Sequence, residues 1–238
     1  MKQRWSRQLL GTLGLQLKVG AGRTAQIPSG LLVANHISWL DIFAINALVP
    51  AAFVSKDDVR RWPLIGWLSA KTETIFLERG SHAAAQRTRE TMVVQLQAGT
   101  HVAVFPEGTT SAGDRVLPFH AALFQGAIDA GVPVVPLALR YLDAEGNVSR
   151  TPAYDGDITL LQCLMSIVRS CGLVIEIRVL PPIDGAASDR RHVAARSHHA
   201  IAWQLGHAGP DVPTPSPSAV PTGRRASGIP GDPQAASP

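Results

Sequence analysis

Little in this chain of 238 residues points to a secreted, metal-loaded or nucleic-acid-binding protein. It has two cysteines, Cys163 and Cys171, around one apolar segment, with no C-x-x-C pair and no secretion signal. That usage fits reduced, buried thiols rather than a disulfide framework. Aromatics make up 5% of the residues and do not interleave with a basic stripe, which argues against a nucleic-acid surface. No G-x-S-x-G occurs, so a serine-nucleophile hydrolase is disfavoured, and no H-E-x-x-H or histidine cluster marks a metal site. No stretch reaches the roughly 18 consecutive apolar residues of a membrane-spanning helix; Asn46 and Pro50 interrupt the nearest candidate.

What is present suggests one folded domain with a segment at each end. Hydrophobic residues reach 45%, enough for a sizeable core, and the formal net charge of +4 suits an anionic partner such as a lipid surface or a carrier protein. Trp5, Leu9, Leu13 and Leu17 recur every four residues beside Arg4, Arg7 and Lys18. The pattern predicts an amphipathic helix over residues 1–22, lying in a membrane interface or packed on the domain. Eight of the thirty residues after Ala208 are proline, without apolar period, so 208–238 reads as a disordered tail.

Between these ends, at 23–207, strands alternate with helices. Strands are expected at 30–34, 52–55, 74–77, 101–105, 132–141 and 173–180. Helices are expected at 39–48, 63–71, 82–98 closed by Gly99, 119–130 closed by Gly131, and 188–206. Pro133 and Pro136 assign the 132–141 strand to a sheet edge or an irregular path. The alternation predicts a single α/β domain with a largely parallel sheet flanked by helices. Ligands of such sheets sit beyond the carboxyl ends of the strands.

Two motifs follow expected strands. Asn35-His36-Ile37-Ser38-Trp39-Leu40-Asp41 places a histidine five residues before an aspartate. On one helix that spacing would turn the two side chains about 500° apart, so they meet only if His36 precedes a helix that Asp41 enters. Ser38-Trp39-Leu40-Asp41 supplies that start signal, with Ser38 as N-cap, Asp41 at N3, and Ile37 and Ile42 as a hydrophobic staple. A carboxylate-held imidazole can take a proton from a hydroxyl near neutral pH. The same residues also fit a plain helix cap beside a loop histidine. Phe105-Pro106-Glu107-Gly108-Thr109-Thr110-Ser111 is rich in hydrogen-bonding groups, with Glu107 to orient a site and Gly108 to let backbone approach a ligand. Thr109, Thr110 and Ser111 offer hydroxyls, and Arg115 and Arg79 offer anion contacts, although an ordinary turn uses similar residues. A metal triad of His36, Asp41 and Glu107 is a further option for this residue set.

Four blocks in order resemble the glycerolipid (lysophospholipid) acyltransferase family. They are Asn35-His36 through Asp41, as H-x4-D; Phe76-Leu77-Glu78-Arg79; Phe105-Pro106-Glu107-Gly108-Thr109; and Val132-Pro133-Val134-Val135-Pro136. The resemblance covers about residues 30–140. It implies an O-acyltransferase in which His36 is the general base, Asp41 holds it, and the acceptor hydroxyl attacks the thioester of acyl-CoA or acyl-carrier protein directly. It implies lysolipid binding by Arg79, Glu107 and Gly108, with Asn35, Thr109, Thr110, Ser111 and Arg115 near them, and a link of the fourth block to the acyl donor. No cofactor or metal is implied, and the expected location is peripheral or monotopic at the cytoplasmic face of the inner membrane. One departure bears on the acceptor. Members acylating lysophosphatidate usually read E-G-T-R-S, and this chain has Thr110 at the arginine position. A lost guanidinium–phosphate contact is worth roughly 1.5–3 kcal/mol, so Arg115, Lys56 or another cation compensates, or the head group is not a phosphomonoester. E-G-T-T with Leu117-Pro118-Phe119 also resembles members that acylate lyso-ornithine lipid. A non-catalytic lipid-binding protein is the remaining alternative.

Overall fold

Four consecutive apolar residues, Leu31–Ala34, form a strand buried on both faces, which is what a run without polar alternation requires. In the computed structural model, which describes residues 1–20, 27–56, 74–77, 82–185 and 189–207, this strand is the middle of a seven-stranded sheet. The strands are β1 (Gln16–Val19), β2 (Leu31–Ala34), β3 (Ala51–Lys56), β4 (Ile75–Leu77), β5 (His101–Val104), β6 (Val134–Leu142) and β7 (Val174–Val179). Their spatial order is β1-β7-β6-β2-β5-β3-β4. Every neighbouring pair is parallel except β6 and β7. The single α/β domain expected from the alternation is the observed fold.

Helices cover both faces. Leu32 and Ala34 point into one core with α1 (Lys2–Thr12), α2 (Asp41–Leu48) and α5 (Leu160–Arg169). Leu31 and Val33 point into the other, under α3 (His82–Gln97), α4 (Gln125–Ala130) and α6 (Arg190–Leu205). Gly99 and Gly131 take positive φ at +78° and +65°, closing α3 and α4 as expected.

The N-terminal segment differs from its expected form. α1 stops at Thr12 because Gly14, at φ +77°, lets Leu15 N–H bond back to Leu10 C=O at 2.9 Å and Gly14 N–H to Gly11 C=O at 3.0 Å. This Schellman closure buries Leu10 and Leu15 together and turns the chain into β1. Leu17 therefore lies in a strand opposite Ile175 instead of continuing a helical stripe. α1 packs on α2, where Gln3 Nε2 donates to Leu48 C=O at 2.8 Å and Arg7 Nε to Ala47 C=O at 3.0 Å. Those carbonyls are ones a helix end leaves unpaired, and a cation there also suits the helix dipole.

The strand with two prolines is another correction. β6 lies inside the sheet, between β2 and β7, not at an edge. Pro133 precedes the strand, and the ladder to β7 begins only at Leu137 opposite Val179, so Pro136, which has no N–H to give, stands just outside that ladder. Pro136 still contributes its carbonyl, which accepts Leu180 N–H at 2.9 Å.

α5 was legible only as an apolar segment, although Thr159 and Gln162 close a full capping box at its start. Of the two free cysteines, Cys163 is buried in this helix, where burial pushes its thiol up, whereas Cys171 is exposed, contrary to expectation. The helix expected at 63–71, the tail 208–238, Glu78, Arg79 and the side chain of Lys56 lie outside the described residues.

Candidate active site

β2 and β5 are parallel neighbours, so the segments leaving their carboxyl ends emerge side by side. The first carries Asn35 and His36, the second Phe105 through Ser111. Asn35 is buried and extends the β2–β6 pairing with its side chain. Its Nδ2 donates to Leu139 C=O at 3.0 Å, and its Oδ1 accepts Leu139 N–H at 2.9 Å. The residue expected to touch substrate is thereby engaged with the sheet, and it holds the stem of the histidine.

Asp41 opens α2 and is fully buried. Its Oδ2 accepts Ile37 N–H at 2.7 Å and Ser38 N–H at 2.9 Å, and lies 2.9 Å from His36 Nδ1. The remaining oxygen, Oδ1, accepts the Tyr141 hydroxyl at 2.6 Å. The carboxylate thus reaches back to Ser38 as a capping box would, while the helix begins later than expected. Leu40 is the N-cap, and Ser38 Oγ accepts Leu40 N–H at 3.4 Å in place of the N3 amide. A carboxylate only accepts, so Asp41 favours the imidazole tautomer that has its proton on Nδ1 and its lone pair on Nε2. Phe105 stacks on the ring at 3.9 Å between centroids and 9° between planes. The His36 side chain stays 18% exposed, open to a ligand.

The second motif wraps around the backbone of the first. Glu107 Oε1 accepts His36 N–H at 2.8 Å, and Oε2 accepts Leu117 N–H at 3.1 Å. Burial pushes the Glu107 carboxyl up to about 7 against those two N–H groups, with the Asp41 charge adding to the rise. Ser111 clamps the other side of the histidine: its N–H donates to His36 C=O at 2.8 Å and its Oγ at 3.3 Å. Thr110 Oγ1 donates to Tyr154 C=O, and Tyr154 N–H to Ile37 C=O at 3.0 Å. Gly108 takes φ +71°, a conformation that favours glycine in so tight a turn.

The expected residues therefore separate. His36 and Asp41 meet directly, and Glu107 and Ser111 hold the histidine's main chain. Asn35 and Thr110 brace neighbouring backbone. Thr109 and Arg115 are exposed beside this frame. No three histidine, cysteine, aspartate or glutamate residues converge as a metal-binding group among the described residues. Glu107 meets His36 at its amide rather than at its ring.

Two participants were not singled out from sequence: Phe105, which fixes the imidazole plane, and Tyr141, which bonds Asp41 from β6. A tyrosine in an apolar strand is a usable signal, since a buried phenol ordinarily has a hydrogen-bond partner. Burial, then the charge and hydrogen bond of Asp41, holds the Tyr141 hydroxyl well above the ordinary phenol range. It remains a proton donor at neutral pH.

Comparison with known proteins identifies the family. A family model described as Acyltransferase matches residues 19–140. The chain is 40% identical over 187 residues to a 1-acyl-sn-glycerol-3-phosphate acyltransferase of Neisseria meningitidis serogroup B, covering 78% of this chain and 72% of that protein. It is 36% identical over 201 residues to a lyso-ornithine lipid O-acyltransferase of Pseudomonas aeruginosa, covering 84% and 76% respectively. Among solved structures, the 1-acyl-sn-glycerophosphate acyltransferase of Thermotoga maritima superposes with a TM-score of 0.62 at 21% identity. That alignment covers 86% of this chain and 77% of that one, a likeness of fold. The chain belongs to the acyltransferase family.

Proposed function

We propose that this enzyme transfers a fatty acyl group from acyl-CoA or acyl-carrier protein to the free hydroxyl of a lysolipid, with 1-acyl-sn-glycerol-3-phosphate as acceptor and phosphatidate as product. One observation carries the reading: Asp41 holds His36 Nδ1 at 2.9 Å, leaving Nε2 to act as base. The acceptor hydroxyl gives its proton to Nε2 as its oxygen attacks the thioester carbonyl. A C–O bond forms, the tetrahedral intermediate collapses with C–S cleavage, and the leaving thiolate recovers the proton from the imidazolium. Asp41 offsets the positive charge that the ring carries in between. For the head group the supported candidates are Gly108, Thr109 and Arg115, around a frame kept by Asn35, Glu107, Thr110 and Ser111, with Arg79 as a further cation.

Thr110 favours a second reading, a lyso-ornithine lipid acceptor. Its hydroxyl is turned to Tyr154 C=O at the position where an arginine would meet a phosphate. The relative from Pseudomonas aeruginosa carries that activity in its name.

We also place the enzyme peripherally at the cytoplasmic face of the inner membrane. No helix among the described residues is long and apolar enough to cross a bilayer. Leu161, Met165 and Val168 form an exposed apolar stripe on α5, with Leu161 68% exposed. That helix follows Tyr154, the residue bonded to the His36 loop. The deciding experiment offers lysophosphatidate and lyso-ornithine lipid side by side with labelled acyl-CoA or acyl-carrier protein, using His36→Ala as control. Histidine-dependent phosphatidate supports the first reading and histidine-dependent ornithine lipid the second. Full activity of His36→Ala overturns the mechanism in both.

A further inference from the structure

The odd-numbered side chains of β6 enter the core beside α2 as Leu137, Leu139 and then Tyr141. A hydroxyl at the third position is costly to bury unless it is bonded, and an aliphatic residue would fill the same core. Its partner is in the histidine segment. The Tyr141 hydroxyl donates to Asp41 Oδ1 at 2.6 Å. Asp41 is thereby divided: Oδ2 receives Ile37 N–H, Ser38 N–H and His36 Nδ1, while Oδ1 receives Tyr141. Three contacts on one oxygen leave the carboxylate able to swing about that point. The fourth, on the other oxygen, fixes its plane.

We propose that Tyr141 is a positioning residue for acyl transfer. Its hydroxyl locks the Asp41 carboxylate, and through it the orientation and tautomer of His36, by a chain running Tyr141–Asp41–His36. Tyr141 does not touch substrate in this role. The proposal rests on His36 being the base. It adds a residue outside both histidine and glutamate motifs, about 100 positions from its partner.

The test is Tyr141→Phe in the full chain, which keeps the ring and removes the donor. The expected result is a kcat about tenfold lower, with KM for acyl donor and acceptor within about twofold, since ground-state binding is untouched. The circular dichroism spectrum stays that of the parent. The His36 Nδ1 proton resonance, held by Asp41 in the parent, broadens through faster exchange with water. An unchanged kcat and an unchanged resonance overturn the proposal, as does a loss confined to KM. His36→Ala is assayed beside it. If that variant is active, the reading of His36 as base fails; if it is inactive while Tyr141→Phe equals the parent, only the role of Tyr141 fails. Should Tyr141→Phe not fold, Tyr141→Met, which fills the same core without a donor, decides on the same readings: a kcat about tenfold lower with KM unchanged is expected, and parent kcat overturns the proposal.

Discussion

Glu107 Oε1 accepts the backbone N–H of His36 at 2.8 Å, so the acid of the second motif grips the main chain of the first rather than its imidazole. The loop after β5 thereby sets where the β2 loop stands. Burial raises Glu107 from 4.5 to about 7, so the folded protein binds this proton more tightly than the unfolded chain does. The contribution to stability is fullest below about pH 4.5 and declines as pH rises to about 7, by up to about 3 kcal/mol. Glu107→Gln cannot titrate there. Thermal melting at intervals across this window is expected to show the parent losing stability relative to the variant as pH rises. Parallel curves would mean that Glu107 titrates alike in both states.

Asn35 is expected to matter for stability and not for acceptor affinity. Asn35→Ala strands the N–H and C=O of Leu139 in the core, at a cost of about 2–4 kcal/mol for two lost bonds. Urea unfolding measures that loss. A variant of parent stability with a raised KM for the lysolipid would return Asn35 to the binding surface.

Gly30 sits at the entry to β2, where an added Cβ would stand 2.2 Å from the carbonyl oxygen of Pro133. Backbone cannot yield as a side chain can, and Leu31 N–H uses that same carbonyl at 3.0 Å. Gly30→Ala is expected to destabilise by at least about 2 kcal/mol and to lower soluble yield. A melting temperature equal to the parent's would show that β2 and β6 separate there at little cost.

Membrane contact is better tested on α5 than by deleting residues 1–20. That deletion would also remove β1 from the sheet and the Gln3 and Arg7 contacts to the end of α2. Leu161→Asp with Val168→Asp leaves the buried Cys163 and Ile167 face intact. Sedimentation with anionic phospholipid vesicles is expected to show binding at least about tenfold weaker, as two apolar contacts are exchanged for two charges. Undiminished binding would assign the contact elsewhere.

The elements that sequence made legible are those whose signals are local. The apolar run of β2, the glycines closing α3 and α4, and the five-residue His36–Asp41 spacing each need only neighbours along the chain. The spacing is informative because a strand end and a helix start leave one way for those side chains to meet. Where the reading went astray, a contact from elsewhere prevailed. The four-residue leucine period ran past Thr12, but Gly14 and pairing with β7 make Leu17 a strand residue. The prolines spoke for an edge or an irregular path; β6 is not an edge, since it gains rungs from two neighbours, and only its start beside Pro136 leaves the ladder to β7 for an isolated bridge.

The chain by itself therefore determined the alternation of strands and helices, the meeting of His36 with Asp41, and the family to which the four blocks point. Tertiary structure decided what each remaining polar residue is for. Asn35 finds Leu139 across 104 positions, Tyr141 finds Asp41 across 100, and Glu107 and Ser111 find His36 across 71 and 75. A side chain's type records that it can bond, but not with what. Its partner is chosen only when the sheet closes, because burial makes an unbonded polar group costly and sheet register determines which group lies within reach.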